Sequence, residues 1–287
     1  TMDVPHEVFH LFQKGNDGVF ISESTATYFQ SKYIGEKRPW NFWAISDYLG
    51  NATNLKLWSG GGFSGFYEAY GRSILWHYLD WNGYIDNNFI ARMFNQEEYN
   101  LELGSVYPDH VKYMVREIDN FRDKYFDFSM KSVVVDFPQW RDIILNDLES
   151  KSLKRHELIL YSDNNHLTKN DDEYDYNNKL YTPSIDNDPW GMTSYKIFSG
   201  SNENYKIELN TNYENYRIGI IKENDGIYQY SEINSGDIIS SGENEAIYVV
   251  VVDIPISDGQ VDSFSYNFDP NSPSTNFNKY KIKISIQ

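Results

Sequence analysis

Near the start of the chain stand two histidines four residues apart, with a glutamate directly after the first: His6-Glu7-Val8-Phe9-His10. On a helix, positions i and i+4 lie one above the other on a single face, so both imidazoles can reach one cation. Zn²⁺ takes imidazole nitrogen at about 2.0–2.1 Å, and a catalytic zinc holds three protein ligands with a fourth position open. Glu7 would project beside that open position, where a carboxylate can take a proton from attacking water. The chemistry these residues could perform is metal-assisted hydrolysis. By the chain's own His and Glu frequencies, such a match arises by chance on the order of once in a hundred chains. The motif uses two of only six histidines, while His110, His156 and His166 lack ligand spacing and read as ordinary surface or loop residues.

A third ligand is required. A spacing with Gly at 13 and His at 16 would mark a metzincin, but Gln13 and Asn16 stand there, and that class is rejected. The best candidate is Glu23, early in the next expected helix, with small Ser24, Thr25 and Ala26 after it to permit close packing. A tight turn through Lys14-Gly15-Asn16-Asp17-Gly18 followed by an antiparallel helix would bring Glu23 back over the cation. The competing role for Glu23 is a first-turn carboxylate offsetting the helix dipole. Besides the metal, a developing oxyanion needs a donor. Tyr67, Tyr70 and His77 on the next long helix could supply one, with Tyr70 preferred, although core packing is the ordinary role of any one of 24 tyrosines. Glu68 reads as a solvated helix-face residue. The acidic stretch 163–175 offers oxygen donors to Ca²⁺, but it lacks the Gly and terminal Glu of an EF-hand loop and reads as a solvated linker. Gly60-Gly61-Gly62 has no Lys-Ser/Thr after it, so it reads as a hinge or flap and not as a phosphate loop.

The run His6-Glu7-Val8-Phe9-His10-Leu11-Phe12-Gln13, a short Gly/Asn/Asp loop, then Glu23-Ser24-Thr25-Ala26-Thr27-Tyr28-Phe29 resembles the gluzincin zinc metallopeptidases, of the secreted bacterial type. The resemblance implies one zinc ion held by His6, His10 and Glu23, with Glu7 as catalytic base. Phe66–Leu79 is similar, more loosely, to the aromatic helix that follows in several secreted bacterial relatives. Thr27 stands where thermolysin-like members carry an Asp after the Ala, so the group that orients a ligand histidine is left open. The chain enters the motif at once, and the clan's N-terminal sheet, with a signal peptide, is expected upstream of Thr1.

The elements needed to position these residues follow from periodicity. Helices are expected at about 5–13, 20–33, 66–82, 85–96, 108–124 and 139–149. After an acidic, irregular stretch at 151–190 with one strand at 157–161, the period becomes two. Strands are expected at 195–198, 205–209, 216–221, 247–252, 264–268 and 280–286. The fold class is therefore α+β: a mainly helical subdomain (1–150) carrying the zinc-peptidase motif, a linker (151–190), and an antiparallel β-sandwich (191–287).

A net charge of −17 repels phosphate backbones and anionic membranes, which argues against nucleic-acid partners. No apolar run is long enough to span a bilayer. With no cysteine, thiolate ligands are excluded and the metal must use His, Asp or Glu. The expected partner is a protein or glycoprotein substrate outside the cell or at its surface, with surface or glycan contacts through the C-terminal domain. The rival reading is a non-catalytic cell-surface binding protein on a degenerate peptidase scaffold, which the intact Glu7 disfavours.

Overall fold

The computed structural model describes residues 4–13, 19–34, 39–50, 55–56, 69–95, 110–150, 157–161, 174–175, 180–181, 184–187, 190–198, 202–211, 214–255 and 278–287. The protein is α+β, with helices in the first half and almost entirely antiparallel sheets in the second.

The helices are α1 (Val4–Phe12), α2 (Val19–Ile34), α3 (Pro39–Gly50), α4 (Ser73–Trp81), α5 (Phe89–Phe94), α6 (His110–Glu117), α7 (Phe121–Val134) and α8 (Arg141–Ser150). A helical turn at 69–71 leads into α4, with Arg72 between them. The expected long helix at 66–82 is thus interrupted at Arg72. The expected helix at 108–124 is divided at Asn120, which takes a left-handed conformation (φ 53°) as the residue before α7.

At the centre of this half, α2 packs against α1 on one side and α4 on the other. It is buried almost all round, and Ser24, Thr25, Ala26, Thr27 and Gln30 have no exposed surface. Small side chains let the neighbours approach. The Thr25 hydroxyl donates to the Ile21 carbonyl (2.6 Å) and that of Ser31 to the Tyr28 carbonyl (2.9 Å), so these groups need no water. Trp76 Nε1 of α4 donates to Ser24 Oγ at 2.9 Å, fixing the α2–α4 contact.

The strands are β1 (Leu55–Lys56), β2 (Glu157–Tyr161), β3 (Tyr174–Asp175), β4 (Leu180–Tyr181), β5 (Ser184–Asn187), β6 (Gly191–Phe198), β7 (Asn204–Thr211), β8 (Tyr216–Asn224), β9 (Ile227–Ile233), β10 (Ile238–Ser240), β11 (Ala246–Asp253) and β12 (Asn278–Ile286). One sheet runs β1-β6-β11-β8-β9, with β2 parallel to β6; the other runs β10-β7-β12-β4-β3, with β5 on β12. Between the sheets lies a core of Tyr195, Ile197, Ile207, Ile220, Val249, Ile282 and their neighbours. The opposite face of the first sheet carries Met192, Ile221, Tyr248, Val250 and Val252 into the core built by the helices. The order is therefore helices, sheet, sheet.

All eight residues of β11 are buried, because its alternate side chains enter two different cores. Helix α7 lies on β11 and β8. A Cβ at Gly219 of β8 would stand 2.7 Å from Met130 Sδ, so glycine is what lets α7 sit this close. Polar contacts stitch the same seam. Arg122 donates to the Pro255 carbonyl (2.7 Å), Tyr230 to Asp136 (2.7 Å), Arg141 to the Tyr228 hydroxyl (2.6 Å), and Tyr125 to the Trp190 carbonyl.

No helix among the described residues is long and apolar enough to cross a membrane. The loop at 14–18, Gly60-Gly61-Gly62, Tyr67, Glu68, His156, residues 163–173 and the strand expected at 264–268 lie outside the described residues, as does the side chain of His110.

Candidate metal centre

Helices α1 and α2 bring His6, His10 and Glu23 together, and the three offer ligand atoms within 4.8 Å of one another. No other such group occurs among the described residues. The single turn between His6 and His10 sets the two rings edge to face, 4.7 Å between centroids with their planes at 81°. Glu23 approaches from α2. Its Oε2 stands 2.9 Å from His6 Nε2 and 3.5 Å from His10 Nε2. Tetrahedral bonds of 2.0–2.2 Å require neighbouring ligand atoms about 3.3–3.5 Å apart. The two distances to Glu23 Oε2 lie within about half an ångström of that requirement, and all three donor atoms lie within 4.8 Å of one another, so this donor set could hold a metal ion such as zinc.

The site grades from closed to open. Side-chain exposure is 6% for His6, 15% for Glu23 and 25% for His10, so solvent reaches the centre from the His10 side. Glu7 is exposed, and among the described residues it makes no hydrogen bond or ion pair. Burial alone would raise the Glu23 carboxyl. The hydrogen bond to His6, the charges of His10 and His6, and a hydrogen bond from the Tyr70 hydroxyl outweigh it and hold the group below the ordinary glutamate range. A ligand carboxylate needs to be ionised in this way. His6 Nδ1 is buried and has no hydrogen-bond partner among the described residues.

Tyr70 sits on the helical turn 69–71, its ring stacked on His6 at 5.5 Å and 21°. That turn is pressed onto α3: a Cβ at Gly71 would stand 2.3 Å from the Ala44 carbonyl oxygen. His77 does not join the site. It is buried among Tyr28, Trp81 and Trp140, and its Nε2 lies 2.7 Å from Ser31 Oγ.

Sequence reasoning passed over three residues beside His10. Gln13, only 4% exposed, places Oε1 2.5 Å from His10 Nδ1, and its Nε2 donates to the Ser22 carbonyl (2.9 Å) and to Thr25 Oγ1 (2.8 Å). Ser22 Oγ donates to Gln13 Oε1 at 3.2 Å. The available signal was spacing, since Gln13 follows His10 by one short helical turn and i, i+3 side chains are neighbours.

Neither a protein-family model nor a curated protein matches the chain. Among solved structures, the chain is similar over part of its length to PliG of Salmonella Typhimurium, a periplasmic inhibitor of g-type lysozyme. The identity is 10%, the alignment covers 45% of this chain and 96% of that one, and the TM-score is 0.26. For a mutant of the Escherichia coli PliG, the identity is 11%, the coverage 38% and 86%, and the TM-score 0.24. Scores this low fix neither fold nor function.

Proposed function

We propose that this chain is a gluzincin-type peptidase that hydrolyses peptide bonds in protein or glycoprotein substrates outside the cytoplasm, with one zinc ion held by His6, His10 and Glu23. The observation that carries the reading is the convergence of these three donors from successive helices, with their ligand atoms within 4.8 Å of one another, beside an uncommitted Glu7.

When bound, zinc supplies a Lewis acid that polarises the scissile carbonyl and acidifies water. Glu7 takes the proton from the attacking water on a carboxylate oxygen and passes it to the leaving amine. Its exposed position gives water and substrate direct access. Tyr70 stacks on His6 and gives its one hydroxyl proton to Glu23; once Glu23 is engaged by the metal, that proton is released to serve as the donor for the oxygen that becomes negative. The buried His6 side closes the centre from behind, so substrate enters over His10.

The test combines zinc content by mass spectrometry with casein hydrolysis, comparing wild type, Glu7→Gln and Tyr70→Phe. One zinc per chain is expected in all three. Glu7→Gln should lose about 100- to 10,000-fold in turnover. Tyr70→Phe should lower kcat more than it raises KM. Equal residual hydrolysis in wild type and Glu7→Gln would overturn the mechanism. Bound zinc without turnover by wild type would favour a non-catalytic binding scaffold.

A further inference from the structure

The hydrogen bonds of Gln13 have a direction that is forced from one end. Its Nε2 lies 2.9 Å from the Ser22 carbonyl, which can only accept. It also lies 2.8 Å from Thr25 Oγ1, whose own proton is directed to the Ile21 carbonyl at 2.6 Å. The NH₂ end of the amide must therefore face α2, and the carbonyl end must face His10. Two oxygens then surround His10 Nδ1: Gln13 Oε1 at 2.5 Å and, at 3.3 Å, Ser22 Oγ, whose proton points to Gln13. The amide oxygen can only accept, so the close contact at 2.5 Å requires Nδ1 to carry the hydrogen. In the neutral ring the lone pair then belongs to the other nitrogen, Nε2, which lies 3.5 Å from Glu23 Oε2.

We infer that Gln13 is a positioning residue that holds His10 in its Nδ1–H tautomer and so presents Nε2 as a ready-made metal donor. This assignment rests on the reading of His6, His10 and Glu23 as metal ligands. Metal-bound histidines usually donate their second N–H to a carboxylate, a backbone carbonyl or water. Here a neutral side-chain amide takes that place, anchored at its far end to α2. Because Ser22 and Thr25 lie on either side of Glu23 in sequence, the anchor that orients His10 also ties α1 to the segment that delivers the carboxylate. Without the amide oxygen, the hydrogen returns to Nε2, the nitrogen that must stay bare.

Two measurements test this, the first without any metal. In metal-free protein labelled with ¹⁵N-histidine, long-range ¹H–¹⁵N correlation at pH 8 reads the tautomer directly. Wild type should show hydrogen on His10 Nδ1, and Gln13→Met should move it to Nε2. Hydrogen on Nε2 in wild type would overturn the assignment, even if Gln13→Met failed to fold. So would an unchanged tautomer in Gln13→Met.

In the second measurement, Zn²⁺ alone is titrated against a chromophoric chelator. Gln13→Met should bind about 10- to 100-fold more weakly than wild type. Equal affinity in Gln13→Met would refute the positioning role. Wild type that bound no zinc while still carrying hydrogen on His10 Nδ1 would overturn the metal reading and leave the tautomer assignment standing.

Discussion

Gly71 lies where the helical turn carrying Tyr70 meets α3, and the contact leaves no room for a side chain. A Cβ built there stands 2.3 Å from the Ala44 carbonyl oxygen, 2.4 Å from Tyr48 Cβ and 3.0 Å from the Ala44 carbonyl carbon. Ordinary van der Waals contact begins at about 3.4–4 Å, so in Gly71→Ala the turn and α3 must separate by about 1 Å. Two of the three obstructing atoms are backbone, and no rotamer change can clear them. Overpacking of a well-filled core costs about 1–3 kcal/mol, and a backbone clash belongs at or above the top of that range.

Gly83→Ala is the control. Gly83 has φ +67° with nothing within 4 Å of an added Cβ, so its penalty is conformational only, about 1–2 kcal/mol. With a urea slope of about 3 kcal/mol per molar for a chain of this size, Gly71→Ala should lower the unfolding midpoint by about 1 M and Gly83→Ala by about half that or less. Tryptophan fluorescence and far-ultraviolet circular dichroism should report both shifts. Turnover in Gly71→Ala should fall by a larger factor than zinc affinity, because Tyr70 moves with the turn while the proposed ligands stay on α1 and α2. A Gly71→Ala midpoint no lower than that of Gly83→Ala would refute the close-approach argument.

Two further outcomes follow from the core. His77 is held down to about 3 by burial and by the nearby Lys32 charge, so it stays neutral in the folded protein while the unfolded chain takes up a proton below its ordinary value of 6.5. The unfolded state then binds more protons, so stability from this residue is complete above pH 6.5 and declines toward pH 3, by up to about 1.4 kcal/mol per pH unit. Urea midpoints measured from pH 7.5 to 4.5 should fall less steeply in His77→Phe than in wild type, and parallel slopes would refute the assignment. At the helix–sheet seam, Gly219→Ala should cost about 1–2 kcal/mol, because the new methyl meets the flexible Met130 side chain and the ring of Phe126. In a Met130→Ala background the same change should cost less than about 0.5 kcal/mol, and an additive double-mutant cycle would sink the idea.

The meeting of His6, His10 and Glu23 was legible because the ligation proposed for them restricts both residue type and spacing. Two histidines on one helix face and a carboxylate at the head of the next helix leave few alternatives. Gln13 was not legible in the same way: any of many polar residues could have oriented His10, and only the seating of α1 on α2 selects this one. Helix α3 escaped the periodic reading because Phe42, Ala44, Ile45, Ser46, Tyr48 and Leu49 are buried around most of its circumference, so no polar face marks its turn. Strands β3, β4 and β5, of two to four residues each, are too short to show alternation and exist through pairing with β12 and with one another. On β9, Tyr228 and Tyr230 turn toward the helices while Ile227 is 69% exposed, which blurs the inside–outside pattern expected of a strand. The uninterrupted apolar run of β11 did carry a signal: a strand wet on one face alternates, and one covered on both does not.

That covering has a cost for any attempt to separate the two halves. Ala246-Ile247-Tyr248-Val249-Val250-Val251-Val252 is a seven-residue stretch of high β-propensity without charge, proline or glycine, the composition that readily stacks into cross-β fibrils. The helices shield the side that carries Tyr248, Val250 and Val252. A C-terminal fragment cut free of them would present that side to solvent and to its own copies, and it would tend to precipitate. The helical half thus acts as an internal chaperone for the strand most able to nucleate aggregation.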